Sequence, residues 1–171
     1  MNKIFLVNTD ISFIDYPSAE EHAVIVYFSG CSHNCTNCHN QQLQFHGIGK
    51  EYTIDELLNH LIYECNRNKT NNVVFSGGDP LFSKNIEFVK EFLFKYYRRF
   101  NICIYTGYDI EYVKKHDIKG FKYIKCGVFK NSLKQESGNF EDRFQLASTN
   151  QNFYDENYNQ ISEKGILYYI D

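Results

Sequence analysis

Three cysteines lie close together in the first quarter of the chain, at Cys31, Cys35 and Cys38. Thiolates are soft ligands that suit iron–sulfur clusters and zinc. Three thiolates can hold three irons of a cubane cluster, which leaves the fourth iron without a protein ligand. An open metal position of this kind is what a substrate or cofactor needs in order to bind. A disulfide within this group would leave the third cysteine unused, so the spacing favours a metal cluster.

Zinc is the main alternative occupant of these thiolates. A structural zinc ion takes four protein ligands, and His33 or His39 could complete a Cys₃His set. The usual second pair of ligands further along the chain is missing. The other cysteines fall in segments with helix or strand patterns and are interpreted as small buried apolar side chains, namely Cys65, Cys103 and Cys126. The residues alone favour a cluster and leave zinc open.

The elements that must position the cysteines follow a repeated order of strand, loop and helix. β-Branched and aromatic runs predict strands at 23–29, 73–76, 102–105 and 121–126, with a last one at 166–170. Helical spacing of apolar residues predicts three helices. The first begins at a capping box of Thr53 and Glu56, the second is capped by Ser83 and runs to about Arg99, and the third covers 110–116. This order predicts an α/β fold with mostly parallel strands.

Three distinctive loops begin where predicted strands end. The cysteine loop covers 30–50, Gly77-Gly78-Asp79-Pro80 follows the second strand, and Tyr105-Thr106-Gly107-Tyr108 closes the third. In parallel sheets chemistry gathers beyond the carboxyl ends of the strands. Glycines without a Cβ let the backbone approach a ligand closely. We therefore expect these loops to form one site.

Composition and charge argue against nucleic-acid binding and against a membrane span. The net charge of -3 gives no basic excess of the kind that nucleic-acid binding requires. No run of 18 apolar residues predicts a membrane span, and the amino-terminal segment lacks the features of a signal peptide, so a cytoplasmic location is expected. The length favours a single domain over 1–171, in which the polar region 131–160 has no clear assignment.

The motifs together resemble the radical S-adenosylmethionine superfamily, in which a C-x3-C-x2-C motif follows the first strand. Within it the chain is most similar to the activating proteins of anaerobic ribonucleoside-triphosphate reductase. Gly-Gly-Asp-Pro is similar to that family's Gly-Gly-Glu-Pro turn, and Tyr-Thr-Gly-Tyr matches its segment of the same sequence. Further similar segments are Cys38-His39-Asn40, Gly127-Val128-Phe129 and Ser148-Thr149-Asn150-Gln151. The resemblance implies a small, open partial (β/α) barrel.

The resemblance also implies a chemistry. A 4Fe–4S cluster held by the three cysteines would reductively cleave S-adenosylmethionine to a 5′-deoxyadenosyl radical. That radical would abstract a glycine Cα hydrogen from a large glycyl-radical enzyme, the anaerobic ribonucleoside-triphosphate reductase. A flavodoxin or ferredoxin would donate the electron. No catalytic side chain beyond the cluster is implied, and the implied cofactor-binding residues are Asn37, Gly77, Gly78, Asp79 and Thr106.

Two other functions stay open on the sequence. One is a different radical S-adenosylmethionine enzyme, either of the pyruvate formate-lyase activase type or acting on a small molecule. The other is a zinc or cluster-binding module without catalysis, which would leave the two glycine-containing turns unexplained. Two more polar residues are interpreted as ordinary surface residues without a functional role. His33 is expected to be a solvated loop histidine, and Lys125 an exposed strand-end lysine rather than one that neutralises a carboxylate.

Overall fold

The computed structural model describes residues 2–19 and 21–169. Its helices are α1 (Ile54–Asn68), α2 (Ile86–Tyr96) and α3 (Ile110–Lys115). Its strands are β1 (Ile4–Ser12), β2 (Ala23–Phe28), β3 (Lys50–Tyr52), β4 (Asn72–Gly77), β5 (Asn101–Tyr105), β6 (Tyr123–Cys126), β7 (Gly138–Asn139), β8 (Arg143–Gln145), β9 (Asn152–Asp155) and β10 (Ile166–Tyr168). None of the helices described combines the length and apolarity needed to cross a bilayer.

The larger sheet has the strand order β3-β1-β2-β4-β5-β6-β9. Its central strands β2, β4, β5 and β6 are parallel, whereas β3, β1 and β9 are antiparallel to their neighbours. A small second sheet has the order β10-β8-β7. The predicted α/β fold with a parallel central sheet is confirmed. Within the described residues the larger sheet ends at β3 and β9 and does not close, so a partial barrel stays a prediction.

The register of the parallel strands brings their carboxyl ends to one edge of the sheet. Phe28 is aligned with Gly77 at the ends of β2 and β4, and Tyr105 with Lys125 near the ends of β5 and β6. The loops that follow these strands therefore leave the sheet side by side. The predicted convergence of the cysteine loop with the two glycine-containing turns follows from this register.

The two faces of the large sheet pack against different parts of the chain. One face is covered by α1 and α2, and its core includes Phe75 of β4, Leu61 of α1 and Phe92 of α2. The other face packs against Tyr16 and against Phe144 of the second sheet. This second face carries the cavity described below.

Helix α1 begins as predicted, because Thr53 and Glu56 form the capping box. Helix α2 begins at Ile86 with Asn85 in the cap position, so the predicted cap at Ser83 is wrong. The side chain of Asn85 donates hydrogen bonds to the carbonyls of Ser29 and Asp79, both 3.0 Å away. These bonds tie the preceding residues to the site, and the regular helix begins only after them.

The structure contains strands that the sequence pattern did not indicate. The longest is β1, which pairs with β2 and β3. The polar region 131–160 contributes β7, β8 and β9. The predicted last strand corresponds to β10, which ends at Tyr168; Ile170 lies outside the described residues.

Candidate iron–sulfur and cofactor site

The cysteine loop is fixed to the neighbouring chain by backbone hydrogen bonds. The N–H of Gly30 donates to the Leu43 carbonyl at 2.7 Å, and that of Cys31 donates to the Gln44 carbonyl at 3.1 Å. The N–H of Cys38 donates to the Cys35 carbonyl at 3.2 Å, which closes a tight turn between these two cysteines. All three cysteines are free and partly buried.

The electrostatics around the thiols favour a bound cation. The pKa of the Cys31 thiol is raised to about 11, mainly by burial; a backbone hydrogen bond at His33 opposes this shift, and the negative charge of Asp79 adds to it. Without metal, Cys31 is therefore a protonated thiol at neutral pH. A metal ion supplies the positive charge that makes such a thiol a thiolate ligand. The backbone N–H of Asn40 donates to Cys38 Sγ at 3.4 Å, which also stabilises negative charge on sulfur.

The three cysteines open onto a cavity of about 340 Å³ at the carboxyl ends of the parallel strands. This volume lies within the roughly 300–1,000 Å³ typical of small-molecule sites. The wall includes Tyr27 and the two glycines of the Gly-Gly-Asp-Pro turn on one side, and Tyr105 and Lys125 on the other. Thiols, glycine backbone and polar side chains therefore face one cavity.

Asp79 joins the three loops that the sequence singled out. Its carboxylate is 1% exposed and accepts hydrogen bonds from the N–H of Leu81 and of Gly107, at 2.8 and 2.9 Å. Thr106 Oγ1 lies 2.9 and 3.0 Å from its two oxygens, and His33 Nε2 lies 2.8 Å from Oδ2. Both carboxylate oxygens of Asp79 are therefore hydrogen-bonded to groups of the protein. These contacts favour a positioning role for the Asp79 side chain.

His33 is held inside the site rather than solvated. Besides its bond to Asp79, its ring packs edge-on against Tyr108 with centroids 4.5 Å apart. Gly107 lies directly against the same ring, since a Cβ there would come within 2.5 Å of it. The simpler interpretation of His33 as a solvated residue is therefore wrong. Its bond to Asp79 could not be seen in the sequence, because the two residues are far apart along the chain.

The remaining predicted cofactor-binding residues occupy different positions. Gly77, Gly78 and Thr106 line the cavity, although the Thr106 hydroxyl is engaged by the Asp79 carboxylate. Asn37 is exposed, adopts a left-handed backbone conformation with φ of 57°, and lies outside the cavity lining. Its predicted contact with a cofactor has the least support of the set. The structure thus places three of the five on the cavity wall, and a fourth, Asp79, is hydrogen-bonded to Thr106 of that wall.

Two charged residues at the cavity were missed or misjudged from the sequence. Lys125 is only 9% exposed, so its interpretation as an exposed lysine is wrong. Asp15 also lines the cavity; burial raises its carboxyl pKa, and Ser12 Oγ donates to that carboxylate. The signal for Lys125 was present in the sequence, since a lysine inside a buried strand (Tyr-Ile-Lys-Cys) is unusual.

None of the cysteines described outside the loop lines the cavity. Cys65 and Cys126 are buried in the core beneath the helices, and Cys103 is buried in the core on the other face. Their interpretation as buried apolar side chains is confirmed. Within the described residues, Cys31, His33 and Asp79 form a further group of potential ligand atoms within 4.8 Å of one another.

Replacing Gly78 with Ala is expected to destabilise the site. A Cβ at this position would lie 2.5 Å from the Gly30 carbonyl oxygen and 2.6 Å from that of Leu43. Both oxygens are fixed by hydrogen bonds of the cysteine loop. We expect the free energy of unfolding to fall by about 2–3 kcal/mol, measured by urea denaturation.

Gly47 provides the control for this substitution, because a Cβ there has no neighbour within 4 Å although its φ is positive. Gly47→Ala should cost only the backbone strain of about 1 kcal/mol. Equal losses in the two variants would show that the close packing around Gly78 has no energetic weight.

A comparison with protein families gives a match to the model described as a 4Fe-4S single cluster domain, over residues 21–154. The chain belongs to the 4Fe–4S single cluster domain family. The matched range contains the cysteine loop, both glycine-containing turns and the parallel strands. In this 4Fe–4S domain two features fit a cluster: three partly buried thiols, which are soft ligands, and an adjacent cavity with space for a further ligand.

Two curated relatives of this 4Fe–4S domain protein have the same name. The chain is 27% identical over 116 residues to the anaerobic ribonucleoside-triphosphate reductase-activating protein of Enterobacteria phage T4, covering 64% of this chain and 70% of that protein. It is 28% identical over 116 residues to the protein of the same name from Haemophilus influenzae, covering 64% of this chain and 74% of that protein. The family resemblance predicted from the motifs is thereby confirmed.

Among solved structures the 4Fe–4S domain protein is similar to QueE from Escherichia coli, with a TM-score of 0.40 and 15% sequence identity. The superposition covers 61% of this chain and 53% of QueE, so it spans about half of that protein.

Proposed function

We propose that this 4Fe–4S domain protein is a radical S-adenosylmethionine enzyme that activates a glycyl-radical enzyme, the anaerobic ribonucleoside-triphosphate reductase. The observation that carries the proposal is the opening of three free thiols onto a cavity at the carboxyl ends of four parallel strands. The names of the two relatives support the choice of partner.

In this proposal Cys31, Cys35 and Cys38 are the ligands of the cluster, and one iron keeps an open position. No fourth cysteine lines the cavity within the described part of the chain. When bound, the cluster supplies the electron that cleaves S-adenosylmethionine to methionine and the 5′-deoxyadenosyl radical, which removes a hydrogen atom from the partner's glycine Cα. A flavodoxin or ferredoxin is the proposed source of that electron.

The protein's own residues hold and enclose the cofactor. The backbone of Gly77 and Gly78 forms one wall of the cavity, and we assign it to the amino-acid end of S-adenosylmethionine. Asp79 and Thr106 act through their mutual hydrogen bond, which fixes this wall relative to the loop after β5. The rings of His39 and Phe129, with centroids 5.6 Å apart, also line the cavity and offer an aromatic surface for adenine.

A zinc module is the second candidate, because Cys31, His33 and Asp79 place three potential ligand atoms together. That set leaves Cys35 and Cys38 without a role. It would also compete with the four hydrogen-bonding groups that already surround the Asp79 carboxylate. A mononuclear zinc site therefore explains fewer of the residues at the cavity than a cluster does.

The proposal is tested by anaerobic reconstitution with iron and sulfide, followed by reduction in the presence of S-adenosylmethionine. We expect about four irons per chain and the formation of 5′-deoxyadenosine. Addition of the anaerobic ribonucleoside-triphosphate reductase should then produce a glycyl-radical signal in its EPR spectrum. A colourless protein with one tightly bound zinc would overturn the proposal. Formation of 5′-deoxyadenosine with a signal only on pyruvate formate-lyase would reassign the partner.

A further inference from the structure

Four aromatic rings lie one against the next in a row that begins at the cysteine loop. The ring centroids of His33 and Tyr108 are 4.5 Å apart, and those of Tyr108 and Tyr112 are 3.7 Å apart. The planes of the two tyrosine rings differ by only 7°. The centroid of His116 follows at 4.1 Å from that of Tyr112. These four residues form a continuous stack, which we call the aromatic row.

Helix α3 holds three of the four rings in register. Tyr108, Tyr112 and His116 recur at every fourth position, and residues four apart lie one above the other on a helix. The carboxylate of Asp109 caps this helix and accepts a hydrogen bond from the N–H of Tyr112 at 2.8 Å. The N–H of Tyr108 donates to Thr106 Oγ1 at 3.2 Å. The start of the row is therefore anchored to the loop that contacts the site.

The inner end of the aromatic row lies beside a proposed cluster ligand. A ring nitrogen of His33 lies within 4.8 Å of Cys31 Sγ. The same ring is held by its bond to Asp79 and by the close approach of Gly107. His33 therefore keeps a fixed position between the sulfur of Cys31 and the ring of Tyr108.

The outer end of the aromatic row reaches the surface away from the cavity. His116 is the C-cap of α3 and is half-buried, and its neighbours Lys115 and Asp117 are exposed. Neither Tyr112 nor His116 lines the cavity. The row thus connects the cysteine loop with the surface without passing through the proposed cofactor site.

The proposed function requires an electron route of this kind. S-adenosylmethionine would fill the cavity, and the glycine of the partner enzyme must approach it there, so that face is not free for an electron carrier. Electron tunnelling weakens steeply with distance, and it weakens faster across a gap than through atoms in contact. Burial raises the pKa of Tyr112 to about 12, so the ring remains a neutral phenol at physiological pH. A packed row of neutral rings is a suitable tunnelling medium.

We propose that the aromatic row is the route by which a one-electron carrier protein reduces the cluster, and that the carrier docks at its His116 end. One electron leaves the reduced carrier and enters the oxidised cluster, while no bond forms or breaks and the four rings are left unchanged. The inference rests on the proposed function, since it requires a cluster at the three cysteines.

The test breaks the row at two places and keeps the ring in a third variant. Tyr112→Leu and His116→Ala each remove a ring, whereas Tyr112→Phe retains it. Tyr63→Leu is the control, because Tyr63 is a 61% exposed tyrosine of α1 outside the row and the cavity. Each reconstituted protein is mixed anaerobically with flavodoxin hydroquinone, with reduced ferredoxin or with dithionite, and reduction of the cluster is followed by stopped-flow absorbance. Calorimetry measures binding of each carrier separately.

At saturating carrier, the limiting rate in Tyr112→Leu and His116→Ala should fall by roughly tenfold, because the lost ring leaves a void without partner atoms in the path. Tyr112→Phe and Tyr63→Leu should keep the wild-type rate. Dithionite is small and reaches the partly exposed cysteine loop from solvent, so its rate should be the same in all the proteins. Iron content and thermal midpoint establish that each variant is folded and loaded. If Tyr112→Leu does not retain its iron, His116→Ala decides.

The outcomes separate this inference from the function on which it rests. Wild-type limiting rates in both row-breaking variants, or a loss in Tyr112→Phe equal to that in Tyr112→Leu, would overturn the route. Weaker carrier binding with an unchanged limiting rate would also overturn it, as would a wild-type cluster that dithionite reduces but neither carrier does. In all these cases 5′-deoxyadenosine formed with dithionite leaves the proposed function intact. A wild-type protein that forms no 5′-deoxyadenosine with dithionite would overturn the proposed function and the inference together.

Discussion

Replacing Cys35 with Ala should abolish cleavage of S-adenosylmethionine and lower the iron content of the reconstituted protein. Three thiolates are the minimum that holds a cubane with one open iron, and removal of one exposes a second iron to solvent. Within the described chain no other cysteine lines the cavity to replace the lost ligand. Iron and sulfide analysis together with chromatography of 5′-deoxyadenosine measures both effects.

Cys65 is the matched control for Cys35. It is 3% exposed in α1 and packs in the core beneath the helices, away from the cavity. Cys65→Ala removes one buried sulfur and should cost about 1 kcal/mol of stability while the iron content stays at the wild-type value. Full activity of Cys35→Ala, or loss of the cluster in Cys65→Ala, would contradict the assignment of the ligands.

Asp79 is the second position at which a substitution is expected to have a large effect, here on stability. Asp79→Ala removes the acceptor of two backbone N–H groups, those of Leu81 and Gly107, and of the Thr106 hydroxyl. It also frees His33 from its bond at 2.8 Å. Buried donors left without an acceptor cost about 1–3 kcal/mol each, partly recovered where water enters. We expect the free energy of unfolding of the metal-free protein to fall by about 3–4 kcal/mol, measured by urea denaturation.

Two further variants test whether the loss of stability in Asp79→Ala comes from its hydrogen-bond network or only from the loss of a carboxylate. Asp142 is exposed and pairs with Arg143, so Asp142→Ala should change stability by less than about 0.5 kcal/mol. Asp79→Glu restores the residue usual in the resembling family but adds a methylene to a filled space. It should cost about 1–3 kcal/mol. An Asp79→Ala protein as stable as Asp142→Ala would show that the network does not hold the three loops together.

The parallel centre of the fold could be predicted because its strands are apolar on both faces. In β2, for example, Val24 and Val26 belong to one core and Ile25 to the other. Strand β1 was missed because only its first half, at Ile4 and Leu6, shows regularly buried apolar residues, whereas its second half is mostly polar and irregularly buried. Strand β9 was missed because Phe153 is its one fully buried residue.

The convergence of the three loops could be predicted for a related reason. Once strands are parallel, the segments after them must meet at one edge of the sheet, whatever their sequence. The contacts within the site could not be predicted in this way. The bond between His33 and Asp79 depends on the conformations of the two loops that carry these residues.

The central claim is that three thiolates hold a cluster whose fourth iron is free to bind S-adenosylmethionine. The most direct test is Mössbauer spectroscopy of protein reconstituted with ⁵⁷Fe, before and after S-adenosylmethionine is added. We predict that one iron of about four changes its isomer shift and quadrupole splitting, while the other three keep theirs. A spectrum of four irons that S-adenosylmethionine leaves unchanged, or a protein that takes up zinc and no cluster, would contradict this account.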